Sequence, residues 1–331
     1  MTGPEVARFP DPAEPAGVRK AGPRGSGQRL TGWLFVLPAA AYLLLFFGYP
    51  LAANVSMSLR RYTAATFFTG DAPFTGLRNH TKVLGSGMFR EAVVNTVLFT
   101  TGSVLGQFAI GLALAVFFQR RFPLGGLLRS LLLLPWLLPL VVSGTVWRWM
   151  LDPDTGPVDA VLRALHLTSS GVPWLTGTTH ALVSVVLVNI WVGVPFTTAV
   201  LYGGLQDIPP CLYEAARLDG AGAVRTFRHL TWPLLRPVAG VVLLLSVVYT
   251  LKSVDLILVL TGGGPAGATQ TLATRAYELS FQQYEFGRGA VLGNVLVAVS
   301  TVFALLHLRA GRRRAEPVRH TEPIRVREVP A

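Results

Sequence analysis

The chain has 331 residues, of which 51% are hydrophobic and 14% charged. That is more apolar surface than a water-soluble globule of this length can hide, so the composition excludes an ordinary soluble enzyme and points to a membrane protein. The formal charge of +12 does not mark a nucleic-acid binder, because the bases fall between and outside the apolar runs and do not interleave with aromatics on one face.

Residues 1–29 are rich in Pro and Gly, carry mixed charge and lack an apolar period, which predicts a disordered cytoplasmic tail. The stretch Leu30 to Leu59 has no charged residue. It is far longer than the roughly 7 to 15 apolar residues of a signal-peptide core, so it is expected to remain as a membrane helix. Further spans are predicted over Ala92 to Gln119, Ser130 to Leu151, Ala181 to Leu205, Pro237 to Leu260 and Gly289 to Leu308. Each reaches the ~20 residues needed to cross hydrocarbon. The runs are continuous rather than alternating, and a backbone without water must satisfy its own amides, so the spans are helices and the fold class is all-α. Prolines recur within them (Pro38, Pro50, Pro135, Pro139, Pro195), which predicts kinked or broken helices.

Lys and Arg set the expected orientation. Nineteen fall in residues 1–29, 120–129, 205–236 and 309–331, against nine on the other side, with Lys252 inside a span. The excess places both termini and the 206–236 loop in the cytoplasm. Five of the nine lie in residues 59–90, and Arg60-Arg61 runs against that asymmetry. The expected domains are the tail 1–29, a six-helix transmembrane region 30–309 and a basic cytoplasmic tail 310–331.

Catalytic signals are missing. Cys211 is the sole cysteine, so no intrachain disulfide forms and zinc sites needing two cysteines are excluded. The six histidines are scattered without an H-E-x-x-H pair, and none of the three lysines ends a phosphate-binding G-x-x-x-x-G-K-[ST] loop. No metal, cofactor or catalytic residue is expected, and any ATP must be hydrolysed by a different chain.

The loop between the fourth and fifth spans carries Glu214-Ala215-Ala216-Arg217-Leu218-Asp219-Gly220. Pro209-Pro210 opens a helix, Gly220 suits the left-handed turn that ends one, and a second helix resumes near Gly222 until Pro233 stops it. Val224, Phe227 and Leu230 share one face of this second helix, and Arg225 and Arg228 another. Small Ala215 and Ala216 let a partner approach the backbone, while Glu214 and Asp219 offer acceptors. The residues alone fit a docking surface and an interfacial helix pair on anionic lipid equally well.

The segment resembles the EAA loop, E-A-A-x3-G-x9-I-x-L-P, of the membrane subunits of binding-protein-dependent ABC importers. Leu230 stands for the usual isoleucine and Trp232 for leucine. The resemblance extends over most of residues 30–309 and is closest to sugar-type permeases of the maltose and glycerol-phosphate kind. It is carried also by Phe74 to His80, Asn95-Thr96, Leu134-Pro135-Trp136, Val146 to Trp149, Gly156-Pro157-Val158 and Thr261 to Pro265. It implies a multi-pass subunit of a bacterial-type plasma membrane that passes a carbohydrate or similar polar solute. The implied partners are a second homologous permease, two ATPase subunits and an extracytoplasmic solute-binding protein. Carried onto this chain, the coupling residues are Glu214, Ala215, Ala216, Asp219, Gly220, Phe227 and Pro233.

Lys252 and Asp255 are charges in a predicted span and, three residues apart on one helix, are expected to share a face, either as an internal ion pair or as lining of a polar path. Asn189 and Asn294 are lone amides in apolar helices, suited to helix-to-helix hydrogen bonds or to sugar hydroxyls, and Trp191 to packing or to stacking on a sugar ring. The candidate path is therefore Asn189, Trp191, Lys252, Asp255 and Asn294. A self-sufficient ion-coupled carrier is the alternative; it calls for an internal repeat and coupling carboxylates, and Asp255 is the only such carboxylate.

Overall fold

The computed structural model describes residues 26–120 and 122–312, and the side chains of 35–120 and 122–311. The expected tails lie outside it except where helix reaches into them at 26–29 and 310–312. The helices are α1 (Ser26–Leu43), α2 (Tyr49–Ser58), α3 (Ala64–Thr69), α4 (Arg78–Leu84), α5 (Gly87–Phe118), α6 (Gly125–Leu137), α7 (Leu140–Met150), α8 (Pro157–Ala164), α9 (Thr178–Gln206), α10 (Pro210–Leu218), α11 (Ala223–Thr226), α12 (Trp232–Leu251), α13 (Asp255–Leu260), α14 (Leu272–Tyr277) and α15 (Phe286–Arg312). Two π-helical turns, Leu44–Gly48 and Phe227–Thr231, join consecutive helices, and a third, Glu278–Gln282, extends α14. Among the described residues there is no strand, only an isolated bridge between Arg60 and Phe74. The fold is all-α, as the continuous apolar runs require.

Among the described residues five helices are long and apolar enough to span a bilayer: Phe35–Ser58, Gly87–Phe118, Thr178–Gln206, Ala223–Leu251 and Phe286–Gly311. The pair α6 and α7, bent by 96°, makes a sixth when counted as one broken span. The bend falls at Leu138 and Pro139, both extended in backbone. Pro139 disfavours helix in the residue before it, so the expected single helix 130–151 becomes two.

The described residues up to Ala53 and those from Asn54 onward form separate compact units. In the first, Tyr42 and Phe46 pair with ring centroids 4.6 Å apart. In the second, α5 runs along α9 as the main helix pair, with α12 against both. Close approach there needs small residues: a Cβ on Gly106 would stand 2.3 Å from Cδ1 of Ile190. Three buried clusters fill the unit. Phe99, Val185, Val188, Leu256 and Ile257 form one; Ala115, Leu201, Leu205, Leu235 and Val242 form the second; Val83, Leu272, Val291 and Leu292 form the third.

Two expected boundaries move. The fifth span is not Pro237 to Leu260: its helix begins before Pro237 and ends at Leu251, and Lys252 to Val254 break the chain before α13. Nor does Pro233 stop the second helix of the 206–236 loop. Helix continues from Ala223 to Leu251, with a π turn just before Pro233. A widened turn takes up the missing amide and the ring clash, so the proline is carried in the helix instead of ending it.

Candidate functional site

The 206–236 loop folds as a helical hairpin on the end of α9. Pro209 caps α10 in extended geometry with Pro210 in the first turn, where its missing N–H costs nothing. The C-terminus closes as a Schellman turn: Gly220 N donates to Arg217 O at 3.0 Å and Ala221 N to Ala216 O at 2.9 Å. Gly220 has φ of +69°, a conformation in which a Cβ is strained. Gly222 then caps α11.

One side of the hairpin is anchored and the other is free. Ile208 is buried with Leu205 and Leu235, and Tyr213 and Trp232 pack on that cluster. The Tyr213 hydroxyl lies 3.3 Å from Oγ1 of Thr231, tying the two arms. Phe227 stacks on Trp232 at 6.4 Å, and Trp232 meets Phe108 edge-on at 6.3 Å. The tryptophan at the position where leucine was expected therefore fills the joint between hairpin and bundle. Facing away, Ala215, Asp219 and Gly220 are exposed, Leu218 and Val224 stand 90% and 81% exposed at the tip, and Glu214 is exposed on the inner side. Pro233 is exposed at the head of α12, and Ala216 is half-buried. A cavity of about 1230 Å³ separates the inner side of the hairpin from α5 and α6, lined by Arg120, Arg129, Tyr202, Glu214, Arg217 and Phe227. Arg129 hydrogen-bonds the Tyr202 hydroxyl and lies over its ring.

The structure does not gather the five candidate path residues at one point. Asn189 is buried in α9, and its carbonyl oxygen accepts from Nε2 of Gln107 at 3.0 Å. Its own amide nitrogen is buried without a partner, as are the hydroxyls of Thr100, Ser103, Ser143 and Thr197. Gln107 reaches Asn189 by crossing Gly193, where a Cβ would stand 2.3 Å from Cδ of Gln107. Gln107 was missed in the sequence, although as an amide in the middle of the apolar run 92–119 it carries the signal that marks Asn189. Trp191 is 36% exposed, meets Trp147 edge-on at 5.5 Å and lines, with Trp174 and Leu187, an apolar cavity of about 550 Å³.

Lys252 and Asp255 do not share a helix face. Lys252 ends α12, Asp255 starts α13, and the two ion pairs found among the described residues are Arg275–Glu278 and Arg288–Glu285. The Lys252 ammonium sits instead 4.7 Å from the centre of the Tyr249 ring, and Asp255 is exposed at a helix N-terminus, where its charge is favoured. Asn294 accepts from Nδ2 of Asn54 at 2.7 Å, and that nitrogen also lies 3.3 Å from the carbonyl of Ala290. Asn54 thus ties α2 to α15.

At the far end of α5 from the hairpin, more amides tie loops together. Asn79 donates to Ser58 O at 2.9 Å and Arg60 O at 2.8 Å. Asn95 donates to Gly267 O and Gln270 O, both at 3.1 Å, and Oγ1 of Thr96 accepts from Leu272 N at 2.9 Å. The glycine-rich segment 262–267 is thereby fastened to the start of α5.

With this geometry in place, comparison with known proteins fixes the class. Residues 107–315 match the family described as binding-protein-dependent transport system inner membrane component. The chain belongs to that family: it is a membrane-embedded permease component of a binding-protein-dependent transporter. Among similar proteins, the trehalose/maltose transport system permease protein MalF of Thermococcus litoralis is 34% identical over 86% of this chain and 95% of its own length. The sulfoquinovosyl glycerol transport system permease protein SmoG of Agrobacterium fabrum is 34% identical over 86% and 91%. Of solved structures, a chain of a bacterial ABC transporter involved in importing the acidic polysaccharide alginate shares the fold, with a TM-score of 0.73 at 22% identity over 88% of this chain and 98% of that one.

Proposed function

We propose that this chain is one permease half of an ATP-driven importer for a carbohydrate or related polar solute. The observation that carries the reading is the hairpin: rigid turn, anchored inner side, bare outer side of small and acidic residues. Such a surface suits the cleft of a rigid partner. The charge asymmetry supports a cytoplasmic position for it and for both termini.

In this reading two ATPase subunits drive the cycle, one seated on Glu214, Ala215, Ala216, Asp219 and Gly220. Phe227 and Pro233 transmit displacement of the hairpin into α12, because the π turn between them joins hairpin and span in one helix. A second homologous permease completes the path, and a solute-binding protein delivers the solute from outside. That relatives are named for trehalose, maltose and sulfoquinovosyl glycerol supports a carbohydrate. Hydrolysis of ATP takes place on the partner, not on this chain. Asn189, whose buried amide nitrogen lacks a partner, and the Trp147–Trp191 pair are separate candidates for solute contact; Lys252 and Asp255 mark the break between α12 and α13.

Co-expression with the neighbouring genes tests the reading. An ATPase subunit should co-purify with the chain, and uptake of a labelled disaccharide should need both. Robust uptake by the isolated chain would contradict it and favour a self-sufficient carrier.

A further inference from the structure

Arg61, Arg78 and Lys82, which oppose the orientation asymmetry of the rest of the sequence, converge with Arg288 on one pocket of about 310 Å³ at the end of the bundle where α5 and α15 begin. One carboxylate lines the pocket, Glu285, and it is paired with Arg288. Among the described residues Arg61, Arg78 and Lys82 have no carboxylate within ion-pair distance. Three uncompensated like charges around one cavity repel one another, and an anion between them reverses the sign of that energy.

A second cavity narrows the class of anion. A cleft of about 140 Å³ shares Lys82 and Arg288 with the basic pocket, and Val83, Met88, Phe89, Leu279 and Leu292 line the rest of it together with Ser86 and Arg275. Arg275 is held by Glu278. An inorganic anion needs no apolar cleft beside it; an acyl chain does. The depth also fits, because the apolar spans start at Gly87 and Phe286, and Phe74, Phe281 and Tyr284 stand exposed at the same end as interfacial aromatics do.

We propose that this pocket holds the phosphate headgroup of an anionic phospholipid, with an acyl chain entering the Met88–Phe89 cleft, in the leaflet opposite the hairpin. The site goes beyond the transport reading and does not rest on what the hairpin binds.

Native mass spectrometry of the purified full chain tests it, with phosphatidylglycerol and phosphatidylcholine of identical acyl chains as probes. Phosphatidylglycerol should be retained in preference, and each neutralised base should weaken retention roughly five-fold, whether in Lys82→Gln alone or in the R61Q/R78Q/K82Q triple variant. The charge-preserving R61K/R78K/K82R variant should retain it, and inorganic phosphate should fail to displace it. Equal retention of both lipids, or retention by the triple variant as by wild type, overturns the proposal. So does displacement by inorganic phosphate, which would make the pocket a simple anion site. A triple variant that keeps the lipid but loses stimulation by a solute-binding protein would make the surface a protein interface instead.

Discussion

Asn54 and Asn294 illustrate what a single polar residue does in an apolar bundle. Their hydrogen bond joins residues 240 positions apart, so each is legible in the sequence as the lone amide of its apolar run while their pairing is not. Intrahelical spacing reveals neighbours, but nothing in a linear pattern reveals which distant helix lies alongside. A double-mutant cycle with Asn54→Ala and Asn294→Ala, followed by thermal unfolding in detergent, should return a coupling of about 0.6 kcal/mol and below ~2 kcal/mol; a coupling of zero would dissolve the clamp. Lys252 teaches the converse. Spacing of three suggested an ion pair with Asp255, but the helix ends between them and the cation rests on Tyr249 instead. Lys252→Ala with protein level controlled should lower solute uptake, and unchanged uptake of every tested sugar would remove the residue from the path. Outside the spans, burial pushes the Glu278 carboxyl up, but Arg275 with the Gln270 and Gln283 amides outweighs it and holds the group below its ordinary value of 4.5. A lowered folded value contributes stability that is present above that ordinary value and lost as pH falls through the folded one. Wild type should therefore lose more thermal stability than Glu278→Gln between roughly pH 5 and pH 3.

At the scale of elements, the hairpin was the most legible part, because its signals are local: a proline pair that can only open a helix and a glycine that accepts the left-handed turn. Gly220→Asn should be tolerated, since Asn visits that region, whereas Gly220→Val should cost about 1 to 2 kcal/mol locally and release the ATPase subunit on co-purification. Equal recovery of the ATPase with both variants would mean that the turn does not shape the docking surface. The proline rule that opened α10 correctly failed at Pro233, where the chain had the alternative of a wide turn in an otherwise continuous apolar helix. Proline fixes what a helix cannot do in α geometry, and the sequence did not show that the ladder would locally leave that geometry. Gly106 was silent in the sequence for a similar reason, since its role is the approach of Ile190 from another helix. Gly106→Leu should separate α5 from α9 and destabilise the bundle by at least about 1 to 3 kcal/mol, read as loss of melting temperature.

For the whole molecule, five of the six expected spans followed from length and apolarity, and the bent pair in place of the other was foreshadowed by Pro135 and Pro139. Which helices pair, and that Arg61, Arg78 and Lys82 gather in one pocket, was beyond a linear reading because both arise from tertiary approach. The account turns on the hairpin facing the cytoplasm and bearing the ATPase, and the sole cysteine, Cys211, is exposed on α10 to report on it. Labelling of Cys211 with a membrane-impermeant maleimide measures this directly. The account predicts no label in intact cells, label in inverted membrane vesicles, and protection when the ATPase subunit is present. Label in intact cells, or label in inverted vesicles that is indifferent to the ATPase, would contradict it.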